Sequence, residues 1–170
     1  MQNGLYIVAT PIGNLGDLSP RAAEPLANAD VIACEDTRIA KKLFALLNIS
    51  TAGKKFIVYQ NYNEEDEAQN IINLAVNDGK SIALVSDAGS PLISDPGYKL
   101  VRKAREQNVF VTVLPGCCAL ICALQLSGLP TNRFLFAGSK SFFVATRIFA
   151  PGYKRKKSLP HCSSKWFGTT

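Results

Sequence analysis

Three carboxylates follow closely after apolar runs of the chain, where they could serve as bases. Glu35 and Asp36 directly follow Val31–Cys34, and Asp87 comes shortly after Ser81–Val85. A carboxylate in such a place can take the proton from a weak nucleophile such as a hydroxyl group. Solvated acids beside a capped helix would look the same at positions 35 and 36, and the residues alone do not choose a base among the three.

The thirteen residues from Val85 to Gly97 are the most informative segment. They contain two aspartates, two glycines, two prolines and three serines directly after an apolar run. Asp95 and Pro96 fit the N-cap and first residue of a helix. That interpretation does not explain the composition of the stretch from Asp87 to Pro91. A loop of this kind at the carboxyl end of a strand favours ligand binding, because open α/β sheets bind their ligands there.

Two further segments combine glycine and proline at the end of an apolar run, namely Thr10–Asp17 and Leu114–Gly116. Glycine lets the backbone approach a ligand closely, although a plain strand-to-helix turn explains each segment taken alone. Neither is the Gly-x-Gly-x-x-Gly dinucleotide motif, nor a phosphate loop ending in Gly-Lys-Ser/Thr. These absences argue against a dinucleotide-dependent oxidoreductase and a nucleotide triphosphatase of those classes.

The elements that must position these loops alternate along the chain. Apolar runs predict strands at 5–9, 31–34, 56–59, 81–85 and 109–114, and a last short strand at 134–137. Amphipathic spacing predicts helices at 20–29, 37–47, 63–77, 96–107 and 117–126, the first capped by Ser19. Such alternation predicts an α/β fold, with a mostly parallel five-stranded sheet and helices on both faces.

The positive charge of the chain is concentrated at its end. Residues 1–139 carry 12 Lys and Arg against 13 Asp and Glu, whereas residues 140–170 carry seven Lys and Arg and no acid. The high isoelectric point therefore does not make residues 1–139 a nucleic-acid-binding domain. We expect an α/β domain at 1–138 followed by a basic, irregular tail at 139–170.

The remaining composition predicts a soluble, cytoplasmic protein. No stretch approaches the roughly 20 apolar residues that span a bilayer, and the N-terminus lacks the pattern of a signal peptide. The five cysteines form no disulfide framework, so reduced and buried thiols are expected at Cys34, Cys117 and Cys122. With a single histidine, His161, no metal site is predicted.

Taken in order, four segments resemble the tetrapyrrole methylase family of S-adenosylmethionine-dependent methyltransferases. They are 5–17, 34–38, 86–98 and 114–117. Within the family, the resemblance is to the branch that methylates small-subunit ribosomal RNA. Branches that make tetrapyrroles generally have Gly-Pro-Gly-Asp in the first segment, where this chain has Pro-Ile-Gly-Asn at 11–14.

The resemblance implies two α/β domains with S-adenosylmethionine between them, and methyl transfer to a cytidine ribose 2′-hydroxyl of 16S ribosomal RNA. It assigns Arg38 and Asn14 to the RNA, and it implies a homodimer without a membrane association. Glu35 or Asp36 is expected nearer the RNA and Asp87 nearer the cofactor. The expected cofactor-binding residues are Pro11, Asp87, Ala88, Gly89, Ser94, Leu114, Pro115 and Gly116.

Two alternatives stay open at the level of sequence. One is a methylase acting on a small tetrapyrrole, against which the first segment and Glu-Asp-Thr-Arg at 35–38 count. The other is an inactive fragment that serves only to bind or dimerise. This second possibility arises because the family-like pattern is expected to stop near residue 138, with the family's second domain absent through a truncation or a change of reading frame.

Overall fold

The computed structural model describes residues 1–60, 62, 64–136 and 138. Its compact units are Met1–Cys118 and a second one that begins at Ala119. The predicted domain boundary near residue 138 stays a prediction, because the basic tail at 139–170 lies outside the described residues.

The first unit contains a five-stranded sheet with the order β3-β2-β4-β1-β5. All four pairs of neighbouring strands are parallel, so the predicted parallel sheet is confirmed. The strands are β1 (Gly4–Val8), β2 (Val31–Cys34), β3 (Lys55–Val58), β4 (Ser81–Val85) and β5 (Val111–Leu114). Parallel strands buried on both faces have nearly continuous apolar sequences, which is why the short runs located them well.

The predicted last strand at 134–137 is wrong over its described part. Residues 134–136 form no strand, and Ala137 lies outside the described residues. Phe134 and Leu135 are 44% and 62% exposed. A short apolar run alone does not specify a strand, because a strand also needs a neighbour with which to pair.

The described residues contain four α-helices in the first unit and one in the second. They are α1 (Pro20–Asn28), α2 (Thr37–Leu46), α3 (Glu64–Val76), α4 (Tyr98–Glu106) and α5 (Ala119–Leu126). The Ser19 hydroxyl accepts a hydrogen bond from the Ala22 amide and caps α1, as predicted. Asn63, the predicted first residue of the third helix, lies outside the described residues.

Helices pack on both faces of the sheet, which confirms the predicted layers. Leu5 and Ile7 of β1 face a core that α3 and α4 complete. Tyr6 and Val8, which alternate with them, face a second core completed by α1 and α2. Since side chains alternate along a strand, the two cores lie on opposite faces.

The connections diverge around β4, the central strand. The chain leaves β1 and β2 toward the layer of α1 and α2, whereas it leaves β4 toward α4 in the other layer. Because β4 lies between β2 and β1, the direction of the connections reverses at the centre of the sheet. Open α/β sheets bind their ligands at the carboxyl edge beside such a reversal.

Candidate functional site

The loops after β1 and β4 are joined by a short antiparallel bridge between Thr10 and Gly89. Each backbone amide donates to the other residue's carbonyl oxygen, at 2.8 and 3.1 Å. The Thr10 hydroxyl, on a residue only 1% exposed, donates to the Ser86 carbonyl at 3.2 Å. The Ser86 hydroxyl in turn donates to the Gly89 carbonyl at 3.1 Å. The two loops are therefore held in fixed register.

The loop after β5 is bound to the same assembly. The Ser90 hydroxyl donates to the Cys117 carbonyl at 2.9 Å. A Cβ on Gly116 would lie 3.0 Å from the Ala9 Cβ, and one on Gly89, with φ of 93°, would lie 3.3 Å from Ile12 Cγ2. Glycine at these two positions lets the backbones approach closely. The three glycine-bearing segments of the sequence thus lie side by side at the carboxyl edge of the sheet.

The loop from Ser86 to Gly97 contains unusual backbone conformations. Leu92 and Ser94, neither of them glycine, have φ of 70° and 68°. Gly97 has φ of 142°, and a Cβ there would lie 2.9 Å from Leu92 Cδ1. Non-glycine residues in the left-handed region cost about 1–3 kcal/mol each and persist where the surroundings enforce them, often at functional sites.

Glu64 anchors the far end of this loop. Its Oε1 accepts hydrogen bonds from the amides of Gly97 (2.9 Å) and Lys99 (3.2 Å), and the residue is only 8% exposed. The predicted cap by Asp95 with a start at Pro96 is wrong, because α4 begins at Tyr98 with Gly97 as its N-cap. A carboxylate from α3 satisfies the free amides of α4 instead.

Three partly buried carboxylates meet at the carboxyl edge. Burial raises the pKa of Glu35, and the charges of Asp95 and Asp87 raise it further. Burial also raises the pKa of Asp87. For Asp95, burial again raises the pKa, a bond with Ser86 opposes this, and the Asp87 charge adds to the increase. We call these three residues the carboxylate cluster.

Asp36 is held differently although it adjoins Glu35. Its carboxylate accepts from Arg38 Nε and Nη2 at 2.6–3.2 Å, and these bonds lower the pKa of Asp36 to about 2. It also accepts from the Arg38 amide at 2.8 Å, so it caps α2. The Asp36 amide donates to Asp87 Oδ1 at 3.3 Å. The structure thus brings the loop after β2 to the same site.

The other predicted site residues follow the same strand ends. The expected cofactor-binding residues come from the last residue of β5 and the loops after β1, β4 and β5: Pro11, Asp87, Ala88, Gly89, Ser94, Leu114, Pro115 and Gly116. Asn14 is exposed, and its side chain accepts from the Gly16 amide at 2.9 Å. Sequence reasoning missed the place of Asp95 in the cluster and the anchoring role of Glu64. The four acids at 64–67 look like ordinary first-turn acids of a helix, so no local signal marks Glu64.

The described cysteines differ in their exposure. Cys34 is buried, and burial is the main cause that raises its pKa to about 12. Cys117 is half-buried, whereas Cys122 is exposed, so buried thiols at both were wrongly expected. Within the described ranges, no three or more His, Cys, Asp or Glu side chains are grouped to hold a metal ion. In that part of the chain, no helix is long and apolar enough to span a membrane.

Curated relatives match this chain over most of its length. A ribosomal RNA small subunit methyltransferase I from Rickettsia prowazekii is 47% identical over 161 residues, which are 94% of this chain and 56% of the relative. One from Vibrio cholerae is 54% identical over 134 residues, 79% of this chain and 45% of the relative. The chain therefore spans about half the length of the curated relatives it matches.

Solved structures share the fold. A diphthine synthase aligns with a TM-score of 0.60 at 20% identity over 76% of this chain and 51% of that one. A cobalt precorrin-4 methyltransferase aligns with a TM-score of 0.56 at 19% identity over 72% of this chain and 49% of that one. The model of the Tetrapyrrole (Corrin/Porphyrin) Methylases matches residues 4–158, past the expected domain boundary. Because this model covers most of the chain, the chain belongs to the tetrapyrrole methylase family.

Proposed function

We propose that this chain forms the cofactor-binding part of an S-adenosylmethionine-dependent methyltransferase that acts on a cytidine ribose 2′-hydroxyl of 16S ribosomal RNA. The names of the relatives support ribosomal RNA of the small subunit as the substrate. The carboxylate cluster at the edge of the glycine-bearing loops is the observation that carries the choice of cofactor.

The cluster suits a cationic ligand. Its three acids lie partly buried and repel one another, and no cation among the described residues lowers the pKa of any of them. A positive charge placed beside them would reduce this repulsion. S-adenosylmethionine carries a positive sulfonium and an ammonium group, so the residues present fit it. The cofactor-side wall would consist of Pro11, Asp87, Ala88, Gly89, Ser94, Leu114, Pro115 and Gly116.

Glu35 is the base we favour over Asp36. A base works best when its pKa lies near the working pH, and the pKa of Glu35 is raised toward it. Arg38 lowers the pKa of Asp36 and makes it a poorer proton acceptor. When bound, S-adenosylmethionine supplies an activated methyl group. Glu35 would hold the proton of the ribose hydroxyl, Asp87 would contact the cofactor, and Asp36 would position Arg38.

The assembly is proposed on the same basis. Arg38 and Asn14 would contact the RNA, the enzyme would act in the cytoplasm on the small ribosomal subunit, and it would form a homodimer. A methylase of small tetrapyrroles shares this fold, as the cobalt precorrin-4 methyltransferase shows. Identities of 44–54% to ribosomal RNA methyltransferases, against 19% to that enzyme, favour the RNA substrate.

Transfer of tritium from methyl-labelled cofactor tests this function. The 170-residue chain is incubated with small ribosomal subunits and, separately, with a porphyrinoid. We expect label in the RNA as a 2′-O-methyl group, and a loss of at least tenfold in rate for Glu35→Gln but not for Asp36→Asn. Label in the porphyrinoid alone would refute the RNA substrate, and full turnover by Glu35→Gln would refute the assigned base.

A further inference from the structure

The outer face of α2 bears three cations, of which Arg38 pairs with the N-cap residue Asp36. Residues 37–46 contain Arg38, Lys41 and Lys42 and neither Asp nor Glu, and all three cationic residues are exposed. Residues three and four apart share one side of a helix. At a rise of about 1.5 Å per residue, the three cations extend over about 6 Å. We call them the α2 cationic strip.

The first residue of the strip is fixed in place beside the carboxylate cluster. The Arg38 side chain is 89% exposed, yet its Nε and Nη2 are bound to the Asp36 carboxylate. The Asp36 amide is bound to Asp87. Because a guanidinium has five N–H donors, the Nη1 group of Arg38 still has donors to offer. A planar cation fixed at a site edge suits a phosphate group.

The second residue of the strip is also oriented. Lys41 Nζ lies 5.4 Å from the centroid of the Phe56 ring of β3, a cation–π contact. Phe56 in turn packs edge-on against Phe44 of α2, with 5.5 Å between the ring centroids. A ring carries no net charge, and no acid of the described residues forms an ion pair with Lys41, so its charge can still attract an anion.

The cations of α4 provide an internal contrast. Lys99 and Lys103 lie 3.2 and 3.0 Å from the Glu65 carboxylate, and Arg102 lies 3.5 Å from Glu106. Two acids, Glu65 and Glu106, thus pair with three of the four cations of α4. Among the described residues, no acid lies within ion-pair distance (4.0 Å) of Lys41 or Lys42 of α2. The two helices therefore differ in how their lysines are held, since those of α4 pair with an acid and those of α2 do not.

We propose that the α2 cationic strip binds the phosphates of the RNA segment next to the methylated nucleotide. Phosphate contacts by Lys and Arg fix the orientation of a nucleic acid without reading its sequence. Arg38 stands nearest the cluster, and Lys41 and Lys42 follow one turn along the helix, so the strip leads the strand toward Glu35. This proposal rests on the proposed function, because it takes RNA as the substrate.

Salt-dependent RNA binding by the full chain tests the strip. The probe is a 16S ribosomal RNA fragment, titrated at 50–200 mM salt with the Lys41→Ala/Lys42→Ala double variant. The slope of log K against log salt is negative, and each lost phosphate contact reduces its magnitude by about 0.7–0.9. We therefore expect the double variant to have a slope that is shallower by about 1.5. Lys55→Ala/Arg105→Ala removes the same charge from exposed residues elsewhere and should change the slope little. Cations at 140–170 are present in every variant and cancel.

The outcomes separate this inference from the proposed function. Equal slopes for the two double variants would overturn the strip, and so would a selective loss of binding to anionic phospholipid vesicles with unchanged RNA binding. The expected slope decrease, with unchanged S-adenosylmethionine affinity, would support it. Should the slope decrease while no methyl group is ever transferred to RNA, the strip would stand and the proposed function would fail.

Discussion

The two helical layers of the sheet bury similar apolar cores, but their charged side chains have different partners. Between α3 and α4, Glu64 bonds the amides at the start of α4, and Glu65 pairs with Lys99 and Lys103. In the other layer, Lys41 and Lys42 of α2 are exposed. One layer thus uses acids to fix the loop of the site, whereas in the other no acid among the described residues pairs with Lys41 or Lys42. We therefore expect that stability and the proposed RNA binding can be changed separately.

Glu64→Ala should break the first layer and have the largest effect on stability. It leaves the buried Gly97 amide and the Lys99 amide without an acceptor, which costs about 2–3 kcal/mol of unfolding free energy. Glu64→Gln retains Oε1, so it should cost clearly less. Urea unfolding measures both, with Asp66→Ala, an exposed acid on the same turn, as the control. A loss no greater than that of the control would remove Glu64 from its anchoring role.

The stability losses of Gly97→Ala and Gly13→Ala test how tightly the loop before α4 is held. Both glycines have left-handed φ, at 142° and 151°, but only at Gly97 would a Cβ collide with Leu92, at 2.9 Å. We expect Gly97→Ala to lose about 1–3 kcal/mol more than Gly13→Ala. Thermal unfolding of the two variants gives the difference. Similar losses would mean that the loop moves aside and is not tightly held.

Glu35→Gln should have the smallest effect, and one of opposite sign. Because the folded-state pKa of Glu35 is raised, its ionised form destabilises the protein above that pKa, and the penalty disappears below the unfolded value. Glu35→Gln should therefore be more stable than the parent at pH 7, by less than about 1 kcal/mol after solvent screening. The difference should vanish near pH 4. A pH series of urea midpoints checks this, and a variant less stable at pH 7 would contradict it.

The strands and the site edge could be predicted from sequence because both depend on local patterns. Buried parallel strands are short apolar runs, and the carboxyl ends of parallel strands share one edge of a sheet. The sequence therefore predicts that Glu35, Asp87 and Gly89 lie at the same edge of the sheet. The bridge between Thr10 and Gly89 follows from that placement but needed the structure to be seen.

The misplaced features depend on contacts between distant residues. Asp95-Pro96 has the local form of a helix start, yet the start moved to Tyr98 because Glu64, far away in sequence, supplies the cap. Asp95 instead joins the carboxylates of two other loops. The helix start at Tyr98 and the position of Asp95 both depend on residues far away in sequence. Local propensity therefore could not predict either of them.

Calorimetric titration of S-adenosylmethionine into the 170-residue chain tests the central claim most directly. We predict saturable one-to-one binding, weakened about tenfold by Asp87→Asn, which corresponds to about 1.4 kcal/mol. That variant keeps the oxygen that accepts the Asp36 amide and loses only the charge. The absence of binding heat at millimolar cofactor, or equal affinity for the parent chain and Asp87→Asn, would contradict the assignment of the carboxylate cluster to a cationic cofactor.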